Sequence, residues 1–238
     1  MPMTIDVIDL RDFYSQRLGI VARQLINRGI RAQWPDAAGQ RVLGLGYPTP
    51  YLGLFREDSE RCIAFMPAAQ GVLKWPTARP ALATLIDEFS MPLPEAAVDR
   101  VLLVHALETS PDPVELLRET WRVLKDDGRL LVVAPNRSGM WAYWESTPFG
   151  HGQPYSSGQI GRLLASSLYR VERRDTALYL PPTQWRLALR SAALCERTGR
   201  RWLPGFAGVT VTEAVKDIYA AMPVRAVPRR RLVLADAA

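Results

Sequence analysis

Apolar residues recur at helical spacing between residues 12 and 30, at Phe13, Leu18, Val21, Leu25 and Ile26, with Gly29 near the end as a stop signal. This pattern predicts one amphipathic leading helix over about residues 10–30. Beyond Trp34 and Pro35 the pattern changes to short apolar runs closed by glycine or proline: Arg-Val-Leu-Gly-Leu-Gly at 41–46 and Arg-Cys-Ile-Ala-Phe-Met at 61–66 before Pro67. Such runs read as strands of a parallel sheet buried on both faces. Further runs lie at 81–86, 98–107 and 129–134.

The clearest helix precedes the last of these runs. Asp112 can cap it, Pro113 suits its first position and Glu115 the reciprocal capping position. Val114, Leu117, Trp121 and Leu124 form one apolar face, and Lys-Asp-Asp-Gly at 125–128 forms the stop. Residues 98–134 therefore read as a strand, helix, strand unit with a right-handed crossover. Repetition of the unit predicts a doubly wound α/β fold with a mostly parallel sheet. Residues 141–157, rich in Gly, Pro, Ser and aromatics, read as an irregular insertion. Helical pattern resumes at 158–169 and 183–197, and the tail offers strands at 209–211 and 231–234 around a helix at 212–221.

The chain has 238 residues, and its 48% hydrophobic and 23% charged content supplies a globular core and excludes intrinsic disorder. No apolar stretch reaches the roughly 18 residues of a membrane span. The opening MPMTIDVIDLRD is acidic where a signal peptide would be basic and then apolar. A single-domain cytoplasmic protein with no membrane partner is expected. Cys62 and Cys195 stand far apart without His or Cys at ligand spacing, so no metal site is expected. The net charge is +6, but the arginines are scattered except at Arg200, Arg201 and 229–231. That scatter argues against nucleic acid as partner, and the 229–231 run reads as a solvated strand edge.

In order, Arg-Val-Leu-Gly-Leu-Gly-Tyr-Pro-Thr-Pro at 41–50, the Asp87 to Val101 stretch, His-Ala-Leu-Glu at 105–108, the Leu117 to Leu130 stretch and Pro135-Asn136 resemble the class I S-adenosylmethionine-dependent methyltransferases. The resemblance implies a seven-stranded sheet with its last strand antiparallel. It also implies a cofactor lying against Gly44, Gly46, Tyr47, Pro48, Met66, Pro67, Asp87, Glu88 and Phe89. Several of these depart from the family pattern. Gly44 stands where the first strand's acid would be, Pro48 and Pro50 replace later glycines, and Met66-Pro67 replaces the acid that would meet the ribose hydroxyls. Proline fixes φ and removes a donor. The glycines also serve simply to turn the chain from strand to helix.

His105, at a strand end, and His151, between glycines in the insertion, are the candidate general bases, having side chains that titrate near neutrality. A packed, hydrogen-bonded histidine is the plainer reading of His105. The aromatics Trp141, Tyr143, Trp144, Phe149 and Tyr155 read either as a lid over a substrate or as core and contact patch. Two functions follow: a methyltransferase of a small-molecule or protein acceptor, or a pseudoenzyme of that fold, its cofactor lost, serving as a protein partner or regulator.

Overall fold

The computed structural model describes residues 5–78 and 80–218. The tail strand expected at 231–234 and the arginines at 229–231 lie outside these residues. Two helices lead, α1 (Val7–Ser15) and α2 (Arg17–Gln33), followed by β1 (Arg41–Gly46), a short α3 (Thr49–Leu52), β2 (Arg61–Pro67), β3 (Ala83–Ile86) and β4 (Val98–Val104). Then come α4 (Pro113–Val123), β5 (Leu124–Pro135), α5 (Ser157–Ser166), β6 (Tyr169–Ala177), α6 (Arg186–Arg190), α7 (Ala192–Trp202) and β7 (Val209–Lys216). The seven strands form one sheet in the order β3-β2-β1-β4-β5-β7-β6, with β7 antiparallel to both its neighbours and the remaining pairs parallel. This is the doubly wound α/β architecture expected from the sequence.

Each inner strand is apolar on both faces because helices cover both faces. Val42 and Leu102 face the layer of α1 and α2 through Leu10, Leu25 and Ile26. Leu43, Leu45 and Leu103 face the layer of α4 and α5 through Leu116, Leu117, Ile160 and Leu164. No helix among the described residues is long and apolar enough to cross a membrane.

Several elements differ from the sequence expectation. The leading helix breaks at Gln16, whose backbone is extended and whose N–H turns back to Phe13 O. At Gly19 a Cβ would stand 2.0 Å from Phe13 O, so only glycine lets α2 start so close under α1. The helix after Asp112 stops at Val123, short of Gly128, and residues 124–128 belong to the strand. The helix expected at 183–197 is two helices, α6 and α7. The largest differences are β6, which the pattern did not predict, and the helix expected at 212–221, where β7 runs to Lys216. β6 reads Tyr-Arg-Val-Glu-Arg-Arg-Asp-Thr-Ala, a mostly polar edge strand without an apolar run to announce it.

A charge inside the sheet explains β7. The Glu213 side chain is fully buried, and it accepts hydrogen bonds from Trp34 Nε1 at 2.9 Å and Arg173 Nε at 2.7 Å, with Arg129 Nη1 at 3.2 Å. Arg173 also reaches Gln33 O at 2.6 Å, so one carboxylate joins the end of α2 to β5, β6 and β7. Burial pushes the Glu213 carboxyl up, but Arg173, Trp34 and Arg129 outweigh it and hold it below the ordinary carboxylate value. Arg122 holds Glu119 down in the same sense.

Because these folded-state values are depressed, their stabilisation is present above the unfolded carboxylate value of roughly 4.3 and is lost as pH falls below it. Thermal melts between pH 7 and pH 3 should show a falling Tm in that lower window. Glu213→Ala, which leaves Arg173 and Trp34 without their acceptor, should cost about 3–5 kcal/mol in denaturant titration.

Candidate functional site

β4 delivers His105 to the end of the sheet in a left-handed conformation, φ 50°, with only 1% of its surface exposed. Its Nε2 lies 2.8 Å from Tyr14 Oη and its Nδ1 3.0 Å from Glu108 Oε1, while Tyr51 Oη donates to Tyr14 Oη at 2.9 Å. One direction is consistent along the chain: Tyr51 donates to Tyr14, Tyr14 to Nε2, and Nδ1–H to Glu108 Oε1. Burial raises the Tyr14 and Tyr51 phenols, so both stay protonated. Phe149 packs 5.0 Å from the His105 ring, and Tyr47 stacks on Tyr14 at 5.7 Å. Glu108 Oε2 is buried without a hydrogen-bond partner.

The turn after β1 is pressed against the same strand end. Gly46 has φ 91°, and a Cβ there would stand 2.2 Å from Val104 O, so glycine is required by packing and conformation together. Tyr47 N–H donates to Val104 O at 2.7 Å. Pro48 lies over Gly44, where a Cβ would meet its ring at 2.5 Å. Gln70 Nε2 donates to Gly46 O at 3.3 Å, and Val7 N–H donates to Gln70 O at 2.9 Å. Helix α1 thus roofs the ends of β1 and β2.

The residues expected against a cofactor separate. Tyr47 and Met66 are buried. Asp87 is exposed, its carboxylate accepting from Phe89 N–H at 2.9 Å within its own turn. Phe89 lies with Arg118 and Arg122 along another depression. Pro67 and Glu88 alone of the set line a cavity with Gln70, Ala106 and Leu116, of about 90 Å³. Pockets for molecules of cofactor size run to roughly 300–1,000 Å³. Tyr14, stacked on Tyr47 and bonded to His105, and Gln70, bonded to Gly46 O, pack the ends of β1, β2 and β4.

Larger space lies on the other side of Glu108. Cavities of about 420 and 650 Å³ both reach His151 and Glu145; Asp9 and Asp12 of α1 line the first, and Glu108 lines the second. Among the described residues no lysine or arginine lines either, although Arg11 pairs with Asp12 at 2.8 Å. The 145–153 loop is fixed to the residues after β4: Gln153 N–H donates to Glu108 O at 2.8 Å, and Gly152, φ 74°, has no room for a Cβ beside that carbonyl. His105 and His151 share no cavity. Of the insertion aromatics, Trp141 and Phe149 are core, Trp141 Nε1 donating to Leu180 O at 2.7 Å, while Tyr143 and Trp144 are exposed. Sequence reasoning missed Tyr14, Tyr51, Gln70 and the carboxylates Asp9, Asp12 and Glu145. Only Glu108, three residues after His105, had a legible signal.

Residues 43–132 match the methyltransferase-domain family. An uncharacterized protein of Mycobacterium tuberculosis is 29% identical over 148 residues, 59% of this chain and 49% of that protein. The chain therefore spans about half the length of the curated relatives it matches. Among solved structures, an S-adenosylmethionine-dependent methyltransferase from Thermotoga maritima superposes with TM-score 0.63 at 14% identity, covering 88% of this chain and 96% of that one. A chain from the complex of the Haloferax volcanii Trm112 methyltransferase activator with a methyltransferase gives 0.62 at 18% identity, covering 89% and 98%. Residues 43–132 are thus similar to a methyltransferase domain, and the fold is that of the class I S-adenosylmethionine-dependent methyltransferases.

The buried hydroxyl of Tyr14 can be tested directly. Tyr14→Phe leaves His105 Nε2 and Tyr51 Oη without their shared partner and should cost about 1–3 kcal/mol of unfolding free energy in denaturant titration.

Proposed function

We propose that the chain is a cytoplasmic methyltransferase of a small acceptor bound in the paired cavities around His151, and that S-adenosylmethionine reaches the ends of β1 and β2 only when α1 lifts away. The observation that supports the acceptor site is the meeting of two cavities, about 420 and 650 Å³, at one accessible histidine beside a domain of methyltransferase type. Their volumes suit a small molecule better than a protein side chain on a folded surface. Four carboxylates, with no lysine or arginine among the described lining residues, favour a neutral or cationic nucleophile and oppose phosphates and carboxylates.

In this reading His151 takes the acceptor's proton, with Glu145 beside the same cavities to balance the imidazolium charge. Both nitrogens of His105 are engaged by Tyr14 and Glu108, which suits it to holding α1 against β4 rather than to exchanging a proton with an acceptor.

The second reading, a pseudoenzyme that has lost the cofactor and acts through a protein partner, is favoured by the filled crevice and by the absence of an acid at Gly44 and Met66. Calorimetric titration with S-adenosylmethionine and its demethylated product separates the two. The enzyme reading expects saturable binding that tightens in Tyr14→Ala, with circular dichroism verifying the fold; no binding by either protein sinks it. His151→Ala should leave cofactor affinity unchanged and lower transfer to an acceptor by about 10²–10⁴-fold.

A further inference from the structure

The segment joining β6 to β7 exposes much of its apolar surface. Helix α7 turns Ala192, Glu196 and Gly199 toward the body, the Glu196 carboxylate accepting from Leu178 N–H at 3.1 Å and Tyr179 N–H at 3.0 Å. Leu189 packs against the core, but other large apolar side chains go to solvent: Trp185 is 78% exposed, Trp202 74%, Phe206 56%, and Leu194 and Leu203 54% each. Scattered exposed apolar residues are ordinary, but five within 22 residues of chain mark an interaction surface.

The charge of the segment selects the partner. Between residues 181 and 206 there are five arginines, and the sole acid, Glu196, is turned inward. Arg200 pairs with Asp175 at 3.1 Å, whereas Arg186, Arg190, Arg197 and Arg201 have no ion-pair partner among the described residues. A second copy of the same patch would meet it with like charge. A nucleic-acid strand would be held in a groove, and none of the cavities described above is lined by this segment. Tryptophan, phenylalanine and leucine interleaved with unpaired arginine instead match the boundary of an anionic bilayer, where rings settle among headgroups and guanidiniums meet lipid phosphates.

We infer that the exposed face of residues 185–206 docks on the surface of an anionic membrane. No described helix can cross a bilayer, so the contact is peripheral. β6 runs parallel to β5, since both are antiparallel to β7, so its outgoing connection leaves the sheet at the end from which β4 and β5 send the loops lining the His151 cavities. Docking there holds the acceptor site beside the lipid surface. The inference rests on the patch alone and stands whether or not the chain transfers methyl groups.

The test is co-sedimentation of the full chain with sucrose-loaded vesicles of phosphatidylcholine containing 30% phosphatidylserine, against phosphatidylcholine alone, together with tryptophan quenching by brominated lipid. The expected result is partition onto the anionic vesicles only, weakened by 0.5 M salt, with quenching. An arginine near such a surface contributes about fivefold, so Arg197→Glu with Arg201→Glu should lower partition at least 25-fold. Trp185→Ala with Trp202→Ala should remove most of the quenching, circular dichroism verifying that both double variants fold. Failure of the wild type to partition, equal partition onto both vesicles, partition unchanged in both double variants, or binding to a single-stranded RNA oligonucleotide but not to vesicles would overturn the inference.

Discussion

A chain of four buried polar groups, Tyr51 to Tyr14 to His105 to Glu108, fixes how the leading helix meets the sheet. Buried donors and acceptors are costly when left unpaired, and in this chain each group has its partner on a different segment: α1, α3, the end of β4 and the turn after it. None can move independently. Because Tyr14 must sit between His105 and Tyr51, α1 must lie across the ends of β1 and β2. Its first turn then bonds Gln70, which in turn bonds the β1 turn. The dense packing over these strand ends follows from that geometry.

The same chain divides the top of the sheet into two environments. On the β1 and β2 side the space is filled by tyrosine rings and a glutamine amide. On the β5 side the 145–153 loop stands off and leaves the two cavities that meet at His151. Glu108 stands between them, one oxygen satisfied by His105 and the other buried without a partner. An overall charge of +6 thus coexists with cavities whose described charged lining residues, His151 aside, are all acidic, because many arginines are carried elsewhere, in β6 and in the α6 and α7 segment. Net charge alone says little about such a site.

At the far edge of the sheet the order depends on a second buried charge. Glu213 lets β5, β6 and the end of α2 share one carboxylate with β7, and this helps hold the mostly polar β6 as an ordered strand. A buried ion pair is a poor source of net stability but a strong specifier of arrangement once its partners are fixed.

The amino-acid sequence by itself determined the parallel core. The runs at 41–46, 61–66, 98–107 and 129–134 and the capped helix after Asp112 have periodicity and end signals that depend only on near neighbours in the chain, although the strand in the third run stops at Val104. Their order carried the family resemblance. The 105–108 spacing likewise brought His105 and Glu108 together within one turn. Tertiary structure alone decided the rest, since the partners lie far apart: Tyr14 is 91 residues from His105, Trp34 is 179 from Glu213, and both pairs are fixed by side-chain geometry across elements. For the same reason the pattern misread β6 and the second half of β7, whose polar side chains are satisfied by such distant partners. Nor could spacing foretell that Pro48 would fill the room beside Gly44, or that Met66 would be buried in the core while Asp87 stayed in its own turn. Local periodicity reports which face of an element is apolar; what fills a crevice is settled by which elements the folded chain presses against it.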